Sequence, residues 1–383
     1  MMLGFATLFG LYSLCMVALM IGFRKIKTFS LETPLEKTSF TIIIPFRNES
    51  ENLDALLKSI FSLNYPLYLF EVLFVNDDSS DSSEEIIKEM IEKSKISFQL
   101  LQNNRVSNSP KKDAISEAIK NSKFEWLVTT DADCELPKNW LKTLDAFIQT
   151  EQLTGNINAP VMICGPVLYK TNGSFLQDFQ QLDGFSLQAA TIGSFGLKTP
   201  ILSNGANLAY RKDSFEQVGG FSGNAHIASG DDIFLMEKMN KSFPGKVRFL
   251  KTPQAIVSTK PQASWKDLVN QRIRWASKTS KQKNLFSILL GGLVLLVNLA
   301  FLMLPVAIII DFWNFQFYIV LIVLKILMDY VVVLQSAKFF AQPISILKFP
   351  ALSIVYGTLI LIVFFKSLGG KYSWKGRTFQ NRR

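Results

Sequence analysis

At 383 residues the chain has room for two ordinary domains, or for one domain and a membrane part, and its 48% hydrophobic content is high for a soluble enzyme. The formal net charge is +10, but the basic residues crowd beside apolar runs and no aromatic-and-basic motif accompanies them, which argues for membrane lipids and against a nucleic-acid partner. A single histidine, His226, rules out a cluster of histidine ligands and disfavours a Ser–His–Asp triad, while Cys15, Cys134 and Cys164 have the spacing of neither a disulfide framework nor a zinc site.

Residues 3–23 carry no charge, and at about 1.5 Å per residue they span roughly 30 Å, the thickness of a bilayer core. The run is too long for a signal peptide and lacks a basic n-region and a small-residue cleavage site, so residues 1–27 read as an uncleaved anchor. Arg24, Lys25 and Lys27 follow it as a cytoplasmic flank.

Residues 38–260 read as alternating strands and helices. The runs 40–45 (FTIIIP), 71–77 (EVLFVND) and 126–130 (WLVTT) predict strands buried on both faces. Leu53, Leu56, Leu57, Ile60 and Phe61 predict a helix with Asn48 as its N-cap, and 83–94 a second helix. The pattern is that of an α/β, Rossmann-type nucleotide-binding domain whose parallel sheet is covered on both sides, with ligands beyond the carboxyl ends of the strands.

Acidic residues gather at those ends. The stretch 42–49 (IIIPFRNE), with Pro45 and Glu49, and the stretch 75–81 (VNDDSSD), with Asp77, suit a nucleobase edge and ribose hydroxyls, or else are ordinary turn chemistry. Asp131 and Asp133 directly follow an apolar strand and suit one Mg²⁺ or Mn²⁺ bridging a diphosphate. Asp231 and Asp232 open a helix, where one carboxylate can act as general base, or else both are ordinary charge at a helix start. Gln271, Arg274 and Trp275 share a helical face within the basic, amphipathic stretch 261–284, which predicts an interface helix offering a stacking ring and a phosphate grip.

Beyond residue 284 the chain turns apolar, with runs at 285–310, 315–335 and 349–365 inside a membrane part of residues 285–368. Lys325 and Asp329, four apart in the second run, are expected to pair and to face protein. If all three runs cross, Lys366, Lys371, Lys375, Arg377, Arg382 and Arg383 end outside, against the positive-inside rule. A re-entrant or interfacial third run would keep the basic tail, residues 369–383, cytoplasmic, and that placement is the expectation.

These groups, in this order, resemble the inverting family 2 glycosyltransferases. In particular they resemble the polytopic branch, which holds synthases of cellulose, chitin, hyaluronan and poly-N-acetylglucosamine as well as lipid glucosyltransferases. The resemblance implies a GT-A fold, a UDP- or GDP-sugar donor, a lipid or glycan acceptor, and Mg²⁺ or Mn²⁺. By the same match Asp77 contacts the base, Asp131 and Asp133 hold the metal, and Asp232 is the general base with Asp231 beside it on the acceptor side. Lys111, in PKKDAI, matches a donor-binding lysine although Pro110 stands where a glycine is usual. Gln271, Arg274 and Trp275 complete Q-x-x-R-W, residues 203–207 (SNGAN) resemble a loop closing the acceptor side, and Trp374-Lys375-Gly376-Arg377 resembles the ending of several membrane members. A nucleotidyltransferase of related fold, which would release pyrophosphate, and a non-catalytic scaffold or transport subunit are the rival readings.

Overall fold

The computed structural model describes residues 1–31, 36–153, 159–225, 227–279, 281–282, 284–369, 371–375 and 377–380. His226, Gly376, Arg382 and Arg383, named above, lie outside the described residues. In chain order, α1 (Met2–Lys25) is followed by β1 (Phe40–Phe46), α2 (Ser50–Phe61), β2 (Phe70–Asn76), α3 (Ser83–Glu92), β3 (Ser97–Gln102), α4 (Pro110–Asn121) and β4 (Trp126–Thr129). Next come β5 (Cys134–Glu135), α5 (Trp140–Leu153), β6 (Met162–Cys164), β7 (Val167–Tyr169), α6 (Phe175–Gly196), β8 (Leu208–Arg211), α7 (Lys212–Gln217), α8 (Ile233–Ser242), β9 (Val247–Phe249) and β10 (Val257–Thr259). The last are α9 (Trp265–Thr279), α10 (Leu285–Ile310), α11 (Phe315–Phe339), α12 (Phe349–Leu368), β11 (Lys371–Trp374) and β12 (Arg377–Gln380).

The chain divides into two compact units, one of residues 27–170 and 202–260, the other of residues 1–26, 171–201 and 261–383. The 38–260 range is therefore interrupted, because α6 groups with the apolar helices.

In the first unit a seven-stranded sheet runs β3-β2-β1-β4-β8-β6-β9, and a smaller sheet runs β5-β10-β7. Strands β1 and β2 are almost wholly buried, and Ile42, Ile44, Val72 and Phe74 pack with Leu53, Leu56 and Ile60 of α2 in one core. The parallel pairing expected of the strands read from sequence is present in β1, β2 and β4, while β8 runs antiparallel to both β4 and β6. Leu208 pairs with Thr129, so β8 starts at the rim where β4 ends and has only the return direction open to it. The consequence is functional, since residues 203–207 are delivered to the same rim as Asp131.

Asn48 is not the cap of α2: Glu49 is, and Asn48 takes a left-handed φ of 53°. Its carboxamide is committed elsewhere, accepting from the Ser80 N–H (2.8 Å). Asp81 clasps the same two loops by accepting from the N–H groups of Ser50 (3.0 Å) and Ser83 (3.1 Å). Burial alone would raise its pKa, but these bonds hold it down at about 2. The clasp thus contributes stability above the ordinary carboxylate pKa of about 4 and loses it as pH falls toward 2. Asp81→Asn should remove that part of the acid dependence; an unchanged pH–stability curve would count against the clasp.

In the second unit α1, α10, α12 and the segment Phe312–Phe339 containing α11 are long and apolar enough to cross a membrane. Lys325 pairs with Asp329 (2.7 Å), as expected, and Asp329 also accepts from the Tyr12 hydroxyl of α1 (2.5 Å). Helices α1 and α6 cross backbone to backbone. A Cβ on Gly196 would stand 1.8 Å from the Gly22 carbonyl oxygen, and one on Gly193 would stand 2.5 Å from that of Leu19. Gly196→Leu should destabilise the protein by about 1–3 kcal/mol, whereas Gly10→Leu, with open space around it, should not. Equal melting temperatures for the two in detergent would refute the crossing.

Candidate active site

Four chain segments bring charge to the carboxyl rim of the large sheet. Lys111 sits in the first turn of α4, where Pro110 at the helix start needs no N–H partner. Its ammonium pairs with Asp131 (2.6 Å), just past β4, and with Asp231 (3.2 Å), just before α8. Gly205, in the loop before β8, makes this approach possible: a Cβ there would stand 2.8 Å from Asp231 Oδ2 and 3.3 Å from Lys111 Nζ. Burial by itself would lower the Lys111 pKa, yet Asp131, Asp231 and Asp232 together raise it, so the lysine stays charged.

Asp232 caps α8, its Oδ1 accepting from the Ile233 N–H (2.7 Å). Its carboxylate is also felt at Cys164, at the end of β6, whose thiol is pushed up by burial first and then by Asp232. Cys134 is likewise raised by burial and then by Asp133 and Asp131. Both thiols therefore remain protonated and are poor nucleophiles. Asp133, two residues past Asp131, accepts from the Cys134 thiol (3.5 Å).

Asp77 closes β2 at the same rim and is almost buried, accepting from Asn103 (2.7 Å) and Arg105 (2.5 Å). Asn103 also donates to the Pro110 carbonyl (3.0 Å), which links Asp77 to the turn that carries Lys111. Arg47 donates to the backbone carbonyl of Asp77 (2.6 Å). Pro45 lies within β1 opposite Val75, and Glu49 is nearly buried, receiving a bond from Asn52 (2.7 Å). Around these groups, Arg47 Nε, Asn103 Oδ1, Ser109 Oγ, Thr130 Oγ1 and Tyr210 Oη are buried without a hydrogen-bond partner among the described residues. Orphaned polar atoms carry a desolvation cost of roughly 1–3 kcal/mol each, and a group of them along one rim points to a polar ligand.

The sequence reading assigned no role to Arg47, Asn103, Arg105 or Lys112, although Arg47 lies within 42–49 and Lys112 within PKKDAI. Lys112 is fully buried and donates to the carbonyls of Asn224 (2.8 Å) and Ile227 (2.9 Å), with the Phe234 ring 5.3 Å away. It fastens the loop that leads into Asp231 and Asp232. Lys112→Met should lower kcat about tenfold, the equivalent of about 1.4 kcal/mol, and leave nucleotide affinity unchanged. Equal losses in both quantities would mark it as a general fold residue.

The second unit holds α9, on which Gln271, Arg274 and Trp275 stand within one turn. Between them Arg272 does most of the visible work. It bonds Asp183 of α6 through Nε (2.8 Å), donates to Gln271 (2.8 Å) and lies 4.1 Å over the Trp275 ring. A face of Trp275, expected to stack on a sugar, is thus covered by a guanidinium.

The chain matches Glycosyl transferase family 21 over residues 8–383. A Bacillus subtilis (strain 168) protein described as probable glycosyltransferase YdaM is 25% identical over 262 residues, 67% of this chain and 60% of that protein. A poly-beta-1,6-N-acetyl-D-glucosamine synthase of Staphylococcus epidermidis is 27% identical over 233 residues, 60% of this chain and 52% of that one. The chain therefore spans a little over half the length of the curated relatives it matches. Mannosyltransferase PcManGT from Pyrobaculum calidifontis, solved in complex with GDP-Man and Mn²⁺, shares the fold with a TM-score of 0.57 at 15% identity, covering 96% of this chain and 99% of that one. The α/β architecture is accordingly GT-A-like, and the relatives support a family-2-like glycosyltransferase. With nearly its whole length matched, this chain belongs to glycosyl transferase family 21.

Proposed function

We propose that this protein is a membrane-bound, inverting glycosyltransferase that takes a UDP- or GDP-linked sugar and transfers it to a lipid-linked or glycan acceptor. The observation that carries the reading is the meeting of Lys111, Asp131 and Asp231 at the strand ends, flanked by Asp77 and Asp232. The relatives' names support it in class, one being a poly-beta-1,6-N-acetyl-D-glucosamine synthase and one a mannosyltransferase bound to GDP-Man and Mn²⁺.

In this reading Asp77 and its neighbours Asn103 and Arg47 receive the nucleoside, and Lys111 with the first turn of α4 faces the diphosphate. Asp131 and Asp133 form a hard two-carboxylate donor set that suits Mg²⁺ or Mn²⁺ when phosphate oxygens and water complete the shell. No group of three or more His, Cys, Asp or Glu among the described residues is placed to hold a metal; in this reading the cation arrives with its nucleotide. Bound there, the cation would offset charge on the leaving diphosphate. Asp232 takes the proton of an acceptor hydroxyl; the acceptor oxygen then bonds the anomeric carbon as the bond to the diphosphate breaks, and the configuration inverts. Asp231 and Gln271, Arg274 and Trp275 serve the acceptor and product. The basic flanks support a catalytic unit on the cytoplasmic side of the cell membrane.

The test is to incubate purified protein and membrane lipid with a panel of radiolabelled sugar nucleotides. Label should enter lipid or glycan with inverted anomeric configuration. Retention would overturn the mechanism, and no transfer or hydrolysis with any donor would overturn the function.

A further inference from the structure

Of the four helices long and apolar enough to cross a membrane, α12 is the one whose crossing the charge pattern disfavours. Helices α1 and α11 run the same way: Phe5 meets Tyr318 edge to face, Gln335 donates to the Met20 carbonyl, and Phe23 meets Phe339 edge to face. With α10 returning between them, Arg24, Lys25, Lys278, Lys281, Lys338 and Lys348 share one side, and the α10–α11 turn, with Asp311 and no basic residue, faces the other. A fourth crossing by α12 would send Lys366, Lys371, Lys375 and Arg377 to the side of that turn.

The contacts of α12 oppose such a crossing. At its start Lys348 pairs with Asp178 of α6 (2.7 Å). Along its length Leu352, Leu359 and Val363 pack with Leu268 and Ile273 of α9 and Phe179 of α6. Beyond its end, β11 returns to α9. Helices α6 and α9 are themselves joined by Asp183 and Arg272 and by the rings of Phe179 and Trp265, 5.4 Å apart. At 15 residues α9 is about 22 Å long, and it carries Lys266, Asp267, Arg272, Arg274 and Lys278, so it is too short and too charged to cross. A helix held to α9 and its partner α6 at the start, along the side and just past the end follows α9. Its middle still dips inward, since Gly357 lies against Asn298, halfway along α10.

We propose that α12 is a one-leaflet helix lying beside α9. Ile354, Ile362, Phe364, Phe365 and Leu368, all exposed, face lipid acyl chains, and the basic hairpin of β11 and β12 sits at anionic headgroups on the side where α10 begins.

The experiment compares two positions in the full chain, Asn314→Cys in the α10–α11 turn and a cysteine added after Arg383. Each is exposed to a membrane-impermeant maleimide in sealed vesicles and again after permeabilisation, with the unsubstituted chain measuring background from the native cysteines. The two sites should label from opposite faces, whichever way the vesicles are oriented. Labelling from the same face would overturn the proposal. Trypsin supplies a second measurement: vesicles that expose Asn314→Cys should protect the tail, and cleavage after Lys371, Lys375 or Arg377 in them would overturn it equally. Neither readout involves catalysis, so the topology stands or falls apart from the proposed activity.

Discussion

Asp232→Asn should lower transfer by about 10²–10⁴-fold, the usual contribution of a positioned general base, while nucleotide affinity stays within about twofold. The substitution keeps the side chain's size and an oxygen able to accept the Ile233 N–H that orients it. What it removes is the capacity to take a proton. Because Lys111 pairs with Asp131 and Asp231, that pairing should survive. Nucleotide binding by calorimetry and transfer by radiolabel are the measurements. Turnover equal to the unsubstituted enzyme would take Asp232 out of the base role, and a parallel loss of nucleotide affinity would reassign it to donor binding.

The second large effect is expected from Asp133→Ala. Without Asp133 the proposed donor set keeps only Asp131, which also pairs with Lys111, to hold a cation arriving with the nucleotide. Loss of several kcal/mol of charge stabilisation corresponds to about 10²-fold or more in turnover, and Mn²⁺ should cease to strengthen nucleotide binding. Manganese dependence of nucleotide affinity, followed by calorimetry with and without EDTA, checks this. An EDTA-insensitive affinity in the unsubstituted protein would falsify the metal assignment itself and would leave Lys111 as the main counter-charge of the diphosphate.

The linear chain was informative wherever the physics is local. Strands β1, β2 and β4 start and stop within a residue of the runs that predict them, because an apolar, β-branched stretch ending in polar residues has few other places to go. The apolar run of α10 coincides with its helix, and the Lys325–Asp329 spacing foretold their pairing, since i and i+4 lie on one helical face. Asp131, Asp133, Asp231 and Asp232 were conspicuous as carboxylates at strand ends and a helix start. Asn48 misled because two partners competed for its carboxamide, and the distant Ser80 N–H won over the adjacent helix.

Only the tertiary structure decided which of these groups meet. Nothing in the order of residues says that β8 returns antiparallel beside β4, and that register alone carries Gly205 to within reach of Lys111 and Asp231. Lys112, Asn103 and Arg105 matter through partners far along the chain, and α6 leaves its sequence neighbours because Gly193 and Gly196 admit the backbone of α1. Periodicity and apolar runs are written within a few turns of chain, so sequence displays them. A pairing across a hundred residues depends on how strands and helices stack, and that is settled by packing the whole core at once.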